Sequence, residues 1–348
     1  MWLISWRDLQ FRLRRFVIAL SVTAVVFGIA LVFDGVKREM QHEIPRIVQG
    51  FGADEWAVAP GASGPFTTTK VLPASVGRML QRTPGVRLAD PVVLSRTVVG
   101  GDPPKDTNLI GYRVGGLGAP PISEGRTVRG PGEVVAGAGL KVEIGDHIKI
   151  GGTRLEVVGR TAASRYYFGN PTVFIALEDA LHLVFNGQPL AMAIAVAGEP
   201  DESPRGVDVM TNDEVAADLD RPLKSGVQTI NIVSVLLWLI AAGIIGLIVY
   251  LSALERLRDF AVFKATGAPT RIVVGGLVVQ AMLVSFVSAV IAIGVARLVS
   301  LSLPFPAEFT VTGIVQLLGV ALVVGVLASF AGLRRALRTD PALAFGGA

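Results

Sequence analysis

The chain has 348 residues, of which 51% are hydrophobic and 17% charged, against about 25% charged in ordinary soluble domains. It is therefore an integral membrane protein and not a soluble globule. The net charge of +4 comes from basic residues clustered at the ends of apolar stretches, which points to cytoplasmic membrane-protein loops and away from nucleic acid, and the lack of any cysteine excludes disulfides, thiolate metal sites and thiol nucleophiles.

Residues 1–15 place Trp2, Trp6, Leu9 and Leu13 on one helical stripe with Arg7, Arg12, Arg14 and Arg15 off it. That is the pattern of an amphipathic helix lying in the cytoplasmic interface. The first spanning helix is expected over 16–36. Its uncharged run from Phe16 to Phe33 is long enough to cross, and no small-x-small cleavage site follows, so it reads as an uncleaved anchor. Ala24 and Gly28, four apart, admit a close helix neighbour.

From 37 to 228 no stretch spans, and short β-rich runs alternate with Gly and Pro, as in a water-facing α+β domain. Strands are expected at 92–99, 109–114, 134–136, 147–150, 155–158, 173–175 and 193–196, and helices at 74–81 and 177–185. Gly151-Gly152 between alternating runs is a hairpin signal. The acidic stretches 199–204 and 213–220 read as a solvated stalk leading to the second span. Spans follow at 229–252, 271–297 and 313–333, separated by the loop 253–270 and by an external loop at 298–312 broken by two prolines; a tail occupies 334–348. Ala321, Gly325 and Ser329 line one face of the last span, for packing either within one subunit or between subunits. Basic residues at both termini and in 253–270 put those segments in the cytoplasm, which places the domain outside the cell membrane.

The loop 253–270 is a short charged helix. Asp and Glu open it, Gly267 and Pro269 stop it, and Leu257, Phe260 and Phe263 share a flank beside Glu255, Arg256, Arg258 and Asp259. From pattern alone it either fills a socket on a partner or rests on lipid headgroups. Catalytic machinery is not legible. There is no G-x-x-x-x-G-K-[ST] loop, no G-x-S-x-G or H-E-x-x-H, and His42, His147 and His182 stand apart without metal-ligand spacing. No acid or base lies mid-span, which argues against a proton-coupled carrier, and the absence of a repeated membrane unit points to a dimer.

The segment ERLRDFAVFKATGA, Glu255 to Ala268, resembles the signature E-R-x-R-E-I-G-x-L-K-A-L-G-A of the FtsX/MacB family of ABC-transporter permeases, departing at Asp259, Phe260, Ala261 and Thr266, and with Phe263 in place of its Leu. ISEGR at 122–126, Gly132 to Arg160 and FGADEWAVAPG at 51–61 are similar to the MacB-like periplasmic core domain, and RRALRTDPALAF at 334–345 to the family's terminal R-x-x-R-x-D-P-x-x-A-L. The resemblance implies four transmembrane helices with an α+β extracytoplasmic domain between the first and second. It implies that Glu255, Arg256, Arg258, Asp259, Phe260, Phe263, Lys264, Gly267 and Ala268 form a coupling helix docking in a separate ABC ATPase. Arg338, Asp340 and Pro341 would make a secondary contact. No cofactor is expected on this chain, and ATP and Mg belong to the ATPase, present in two copies with a homodimer or heterodimer of permeases and an optional extracytoplasmic accessory protein. The expected function is non-catalytic: export or extraction of an amphiphile such as a lipid, lipoprotein, peptide or drug. The alternatives are FtsX-like force transmission to an external hydrolase, and an amino-acid importer, whose E-A-A-x-x-x-G loop is missing.

Overall fold

The computed structural model describes residues 13–100, 104–162, 170–200, 206–255, 270–302 and 309–336. They form two compact units, one from residues up to Glu39 and from Gly226 onward, the other from Met40–Ser225.

The second unit is the α+β domain. Its strands are β1 (Glu55–Val58), β2 (Leu72–Pro73), β3 (Val86–Val99), β4 (Lys105–Tyr112), β5 (Glu124–Gly125), β6 (Glu133–Gly137), β7 (His147–Ile150), β8 (Thr153–Thr161), β9 (Thr172–Ala176), β10 (Leu190–Ala191), β11 (Ala193–Gly198) and β12 (Asp208–Thr211). Short helices α2 (Ser75–Leu80) and α3 (Leu177–Phe185) lie among them. The main sheet runs β12-β1-β11-β3-β4-β9-β6-β8-β5, with β2 and β10 paired apart. Strand β7 pairs along β8 and, at Val99↔Ile150, with β3. That bridge closes β3, β4, β9, β6, β8 and β7 into a ring. Its interior is filled by Val93, Leu109, Val134, Ile150, Leu155, Val157 and Ile175, with Ala180 of α3 above. Gly111 is required there, because a Cβ would stand 2.1 Å from that of Ala180. Gly151 and Gly152, both at positive φ (53° and 89°), make the two-residue turn between β7 and β8, the geometry that matches strand twist.

Strand β3 is longer than its sequence pattern. The run expected from Val92 begins at Val86, because Pro91 lies inside it. The strand changes partners at that point, pairing β11 up to Val92 and β4 only from Val93, so the second edge of Pro91 has no strand partner to lose.

Two long helices enter the domain's largest core. α1 (Leu13–Gly50) contributes Ile44, Ile47, Val48 and Phe51, and α4 (Asn212–Glu255) contributes Val215, Leu219 and Leu223. These pack with Trp56, Val58, Val92 and Tyr112, each burial being worth about 1.5–3 kcal/mol. The residues 213–220 are therefore not a solvated stalk. Asp213 and Glu214 are exposed, while the i, i+4, i+8 stripe of Val215, Leu219 and Leu223 faces the core and Asp218 turns inward beside it. The start of α4 is fixed by a capping box, Thr211 N donating to Glu214 and Glu214 N to Thr211 Oγ1. Asn212 accepts from Trp56 Nε1 at 2.9 Å and donates to Ala53 O at 2.9 Å. Fully buried Asp218 accepts from Phe66 N (3.1 Å), Thr67 N (3.3 Å) and the Thr67 hydroxyl.

Glu133 ties the loop before β6. It accepts both guanidinium ends of Arg126, at 2.7 and 2.6 Å, and Arg129 N at 2.7 Å. The Arg126 hydrogen bonds above all, then the Arg129 amide, hold its carboxyl down at about 2, against an ordinary 4.5. A depressed carboxylate stabilises the fold above its unfolded pKa and ceases to do so as pH falls through the folded one. Glu133→Gln is thus expected to lower the domain's Tm at neutral pH, with the gap to wild type closing between about 4.5 and 2; thermal melts across that range measure it.

The first unit is helical: α1 up to Glu39, α4 from Gly226, α5 (Thr270–Ser300) and α6 (Val311–Ala336). Segments Val17–Gly50, Asn212–Ser252 and Gly275–Ser300 are long and apolar enough to cross a membrane, and Val311–Leu327 is a shorter apolar helix. Its core includes Phe27, Leu31, Ala241, Ile245, Val249, Ala281, Ala292 and Ala321.

Candidate functional site

Residues 256–269 and 337–348 lie outside the described residues, and with them Arg256, Arg258, Asp259, Phe260, Phe263, Lys264, Gly267, Ala268, Arg338, Asp340 and Pro341, as does most of the interfacial helix expected at 1–15. Glu255 is the last residue of α4 and Thr270 the first of α5, so the helices that flank the segment 256–269 are fixed.

Side-chain pairings set their directions. Leu20 meets Ser288 and Gly28 meets Ala292 and Val295, so α1 and α5 run alike. Lys37 meets Asn231 and Phe27 meets Trp238, so α4 runs against α1. Arg38 reaches Gln316 near the start of α6, while Gly325 lies on Ala281 and Ser285, so α6 runs against α5. Leu13, Glu255, Thr270 and Ala336 consequently end on one side of the helical unit. The segment 256–269 and the tail after 336 start from the same end.

Just inside that end Gln280 Nε2 of α5 donates to Ser252 Oγ of α4 at 3.0 Å, with Ser252 buried. This polar pair in an apolar setting was not picked out from the sequence. Its only signal there is one glutamine in an otherwise apolar run, 272–296. Equally missed is the small face of α5 itself: Ala281, Ser285, Ser288, Ala289, Ala292 and Ala296 are all fully buried.

The small residues of α1 and α6 pack on that face. A Cβ on Gly28 would stand 2.9 Å from Val295 Cγ1, and one on Gly325 would stand 2.6 Å from Ser285 Oγ and 3.1 Å from Ala281 O. Ala24 and Ala321 are fully buried within the unit, and Ser329 lies in α6 with its side chain outside the described residues. Gly28→Leu and Gly325→Leu are accordingly expected to destabilise the single subunit, since overpacking of this kind costs about 1–3 kcal/mol or more. A lower melting temperature in detergent, at any protein concentration, is the expected readout. Loss of dimeric mass in the Gly325 variant would for that reason not report a subunit interface.

Comparison with known proteins decides the family. Residues 16–218 match the family model of the MacB-like periplasmic core domain, and 231–341 that of the FtsX-like permease C-terminal region. A protein of Mycobacterium tuberculosis (strain ATCC 25618 / H37Rv) named as an uncharacterized ABC transporter permease is 39% identical over 342 residues, 98% of either chain. The chain belongs to the FtsX/MacB family of ABC transporter permeases. Two further proteins match a smaller part of it. The macrolide export ATP-binding/permease protein MacB of Wolinella succinogenes is 34% identical over 128 residues, which is 34% of this permease and 20% of that protein. The crystal structure of the periplasmic region of MacB from Actinobacillus actinomycetemcomitans aligns with 51% of this permease and 97% of that chain at 13% identity and a TM-score of 0.37. Membership makes this a membrane protein of a transport system, and the family implies an ATPase partner.

Proposed function

We propose that this permease couples ATP hydrolysis on a separate ABC ATPase to movement of its extracytoplasmic domain, and that the movement exports or extracts an amphiphile. The observation that carries the reading is α4. One helix, Asn212–Glu255, begins in the core of the domain and ends at the first residue of the coupling segment. In this reading α6 completes a set of four spans, both termini are cytoplasmic, and two permease chains meet two ATPases. Docking of Glu255–Ala268 in the ATPase, with Arg338, Asp340 and Pro341 beside it, pushes or turns α4 as the ATPases close. The name of the Wolinella relative, a macrolide exporter, supports export of an amphiphile. Force transmission to an external hydrolase uses the same rod and is the alternative.

Interrupting the rod tests the proposal. Four glycines inserted after Gly226 are expected to leave the ATPase bound and hydrolysing while abolishing efflux of fluorescent amphiphiles from proteoliposomes, because a flexible break transmits neither thrust nor twist. Efflux at the wild-type rate from the interrupted protein excludes α4 as the transmitting element. Absence of efflux from the uninterrupted protein, together with activation of a hydrolase encoded alongside it, selects the alternative.

A further inference from the structure

Helix α4 meets its neighbours in the helical unit largely through apolar side chains, Ala241, Ile245, Ile248 and Val249 being buried. Such a surface fixes an axial position poorly, since aliphatic side chains pack almost as well after a small slide or turn. Among the described residues, polar contacts interrupt it near both ends. Lys37 Nζ of α1 donates to Asn231 Oδ1 at 3.2 Å, and Gln280 Nε2 of α5 donates to Ser252 Oγ at 3.0 Å. α1 itself is tied to α6 at the first of these levels, because Arg38, held by Asp34 one turn earlier on the same helix at 2.7 Å, donates to Gln316 Oε1 of α6 at 2.7 Å.

We infer that Asn231–Lys37 and Ser252–Gln280 are two releasable catches that hold α4 in its resting axial register against a frame made by α1, α5 and α6. The frame is interlocked sterically, Gly28 on Val295 and Gly325 on Ser285, where any slide drives a side chain into backbone. α4 is held instead by hydrogen bonds, which are directional enough to choose one register and weak enough to break. Their spacing fits this role. Asn231 and Ser252 are 21 positions apart on one helix, about 31 Å at 1.5 Å per residue, which is close to the thickness of a hydrocarbon core of about 30 Å. The two catches therefore stand about one hydrocarbon thickness apart, one toward each end of the span. This inference rests on the proposed role of α4 as the transmitting rod and names the residues that set its starting position; all four are positioning residues.

The full-length chain has no cysteine of its own, so Leu247→Cys on α4 and Leu283→Cys on α5, both exposed, carry one spin label each. The distance between them is measured by pulsed electron resonance in lipid nanodiscs without the ATPase. The parent is expected to give one dominant distance. Gln280→Leu, which inserts at least as readily as glutamine, is expected to raise a second, displaced population about threefold to tenfold, the worth of one interhelical hydrogen bond in a membrane. Asn231→Leu added to it is expected to raise that population further. The exchange Ser252→Gln with Gln280→Ser restores a pair of the same composition and is expected to return the single distance, which a merely space-filling role for Gln280 does not predict. An unchanged distribution in both Gln280→Leu and the double variant overturns the inference, as does a broadened one that the exchange fails to narrow. Because no ATPase or substrate is present, a negative result leaves the proposed function standing, and loss of efflux in the glycine-insertion test leaves the catches standing.

Discussion

Asp218→Ala is expected to lower the melting temperature of the domain by about 10 °C. The carboxylate is fully buried on α4 and receives two backbone amides and a hydroxyl from the loop after β1. Removing it leaves those donors without a partner in a space water reaches poorly, at about 1–3 kcal/mol each before relaxation. A net loss of about 3 kcal/mol, at about 2–4 °C per kcal/mol for a domain of this size, gives the stated shift. Gly64 shows how tightly the loop is drawn in, since a Cβ there would stand 2.3 Å from Asp218 Cγ. The loop also carries Phe66, whose ring centroid lies 6.1 Å from those of both Phe51 and Trp56, so releasing it opens the aromatic centre of the core. Asp218→Asn keeps an acceptor oxygen and is expected to lose about half as much. Thermal circular dichroism of residues 40–225 measures both, and a drop below about 2 °C for the alanine variant shows that the loop is held by Phe66 rather than by Asp218.

Why Asp218 escaped a reading of the sequence is instructive. In DEVAADLDRPLK the charges dominate by number, and they gave the impression of a solvated linker. The apolar stripe of Val215, Leu219 and Leu223 was present at helical spacing, and T-N-D-E at 211–214 is a capping box with the helix starting where the structure starts it. The signal was local and legible. What was not legible is that one of those acids turns inward, because its donors come from Phe66 and Thr67, about 150 positions away in the chain. Strand β3 shows a second limit of the same kind. A proline reads as a strand boundary unless one knows that the neighbouring strand stops short of it. By contrast β7, the Gly-Gly turn and α3 were readable with their bounds, since such a turn and an acidic first turn depend on nothing distant, whereas β8 extends beyond the expected 155–158 to Thr153–Thr161.

The helical unit divides the same way. Small residues on α1 and α6 marked faces that pack closely, but a one-dimensional pattern names no partner. The partner, the small face of α5, is spread over alanines and serines that are unremarkable singly. The Gln280–Ser252 and Lys37–Asn231 pairs likewise require knowing which helices are neighbours. The sequence motifs identified the family, whereas the contacts the chain makes with itself were the least legible part of it.

That asymmetry bears on the experiment with the largest expected effect on function. Phe260→Ala with Phe263→Ala is expected to abolish co-purification of the ATPase or uncouple its hydrolysis from efflux, with the permease still inserted and folded. Their spacing in the sequence is expected to put both rings on one flank of a helix between α4 and α5, near Glu255, Arg256 and Arg258. Aromatic anchors at an interface centre commonly cost about 2 kcal/mol or more each on truncation, so the pair together predicts a loss of affinity on the order of a thousandfold. A rim charge behaves otherwise. Arg258→Ala is expected to weaken binding a few-fold, mainly through association rate, and to flatten its dependence on salt, because an exposed charge is screened within about 10 Å at 0.1 M. The two variants thus separate a socket from a surface. A helix that merely rests on headgroups binds no ATPase through these rings, so it predicts wild-type co-purification for both. Glu255 closes α4 and Thr270 opens α5, and of these two helices α4 is the one with residues in the core of the domain, so under the proposed function the double variant is expected to cut that route at its cytoplasmic end.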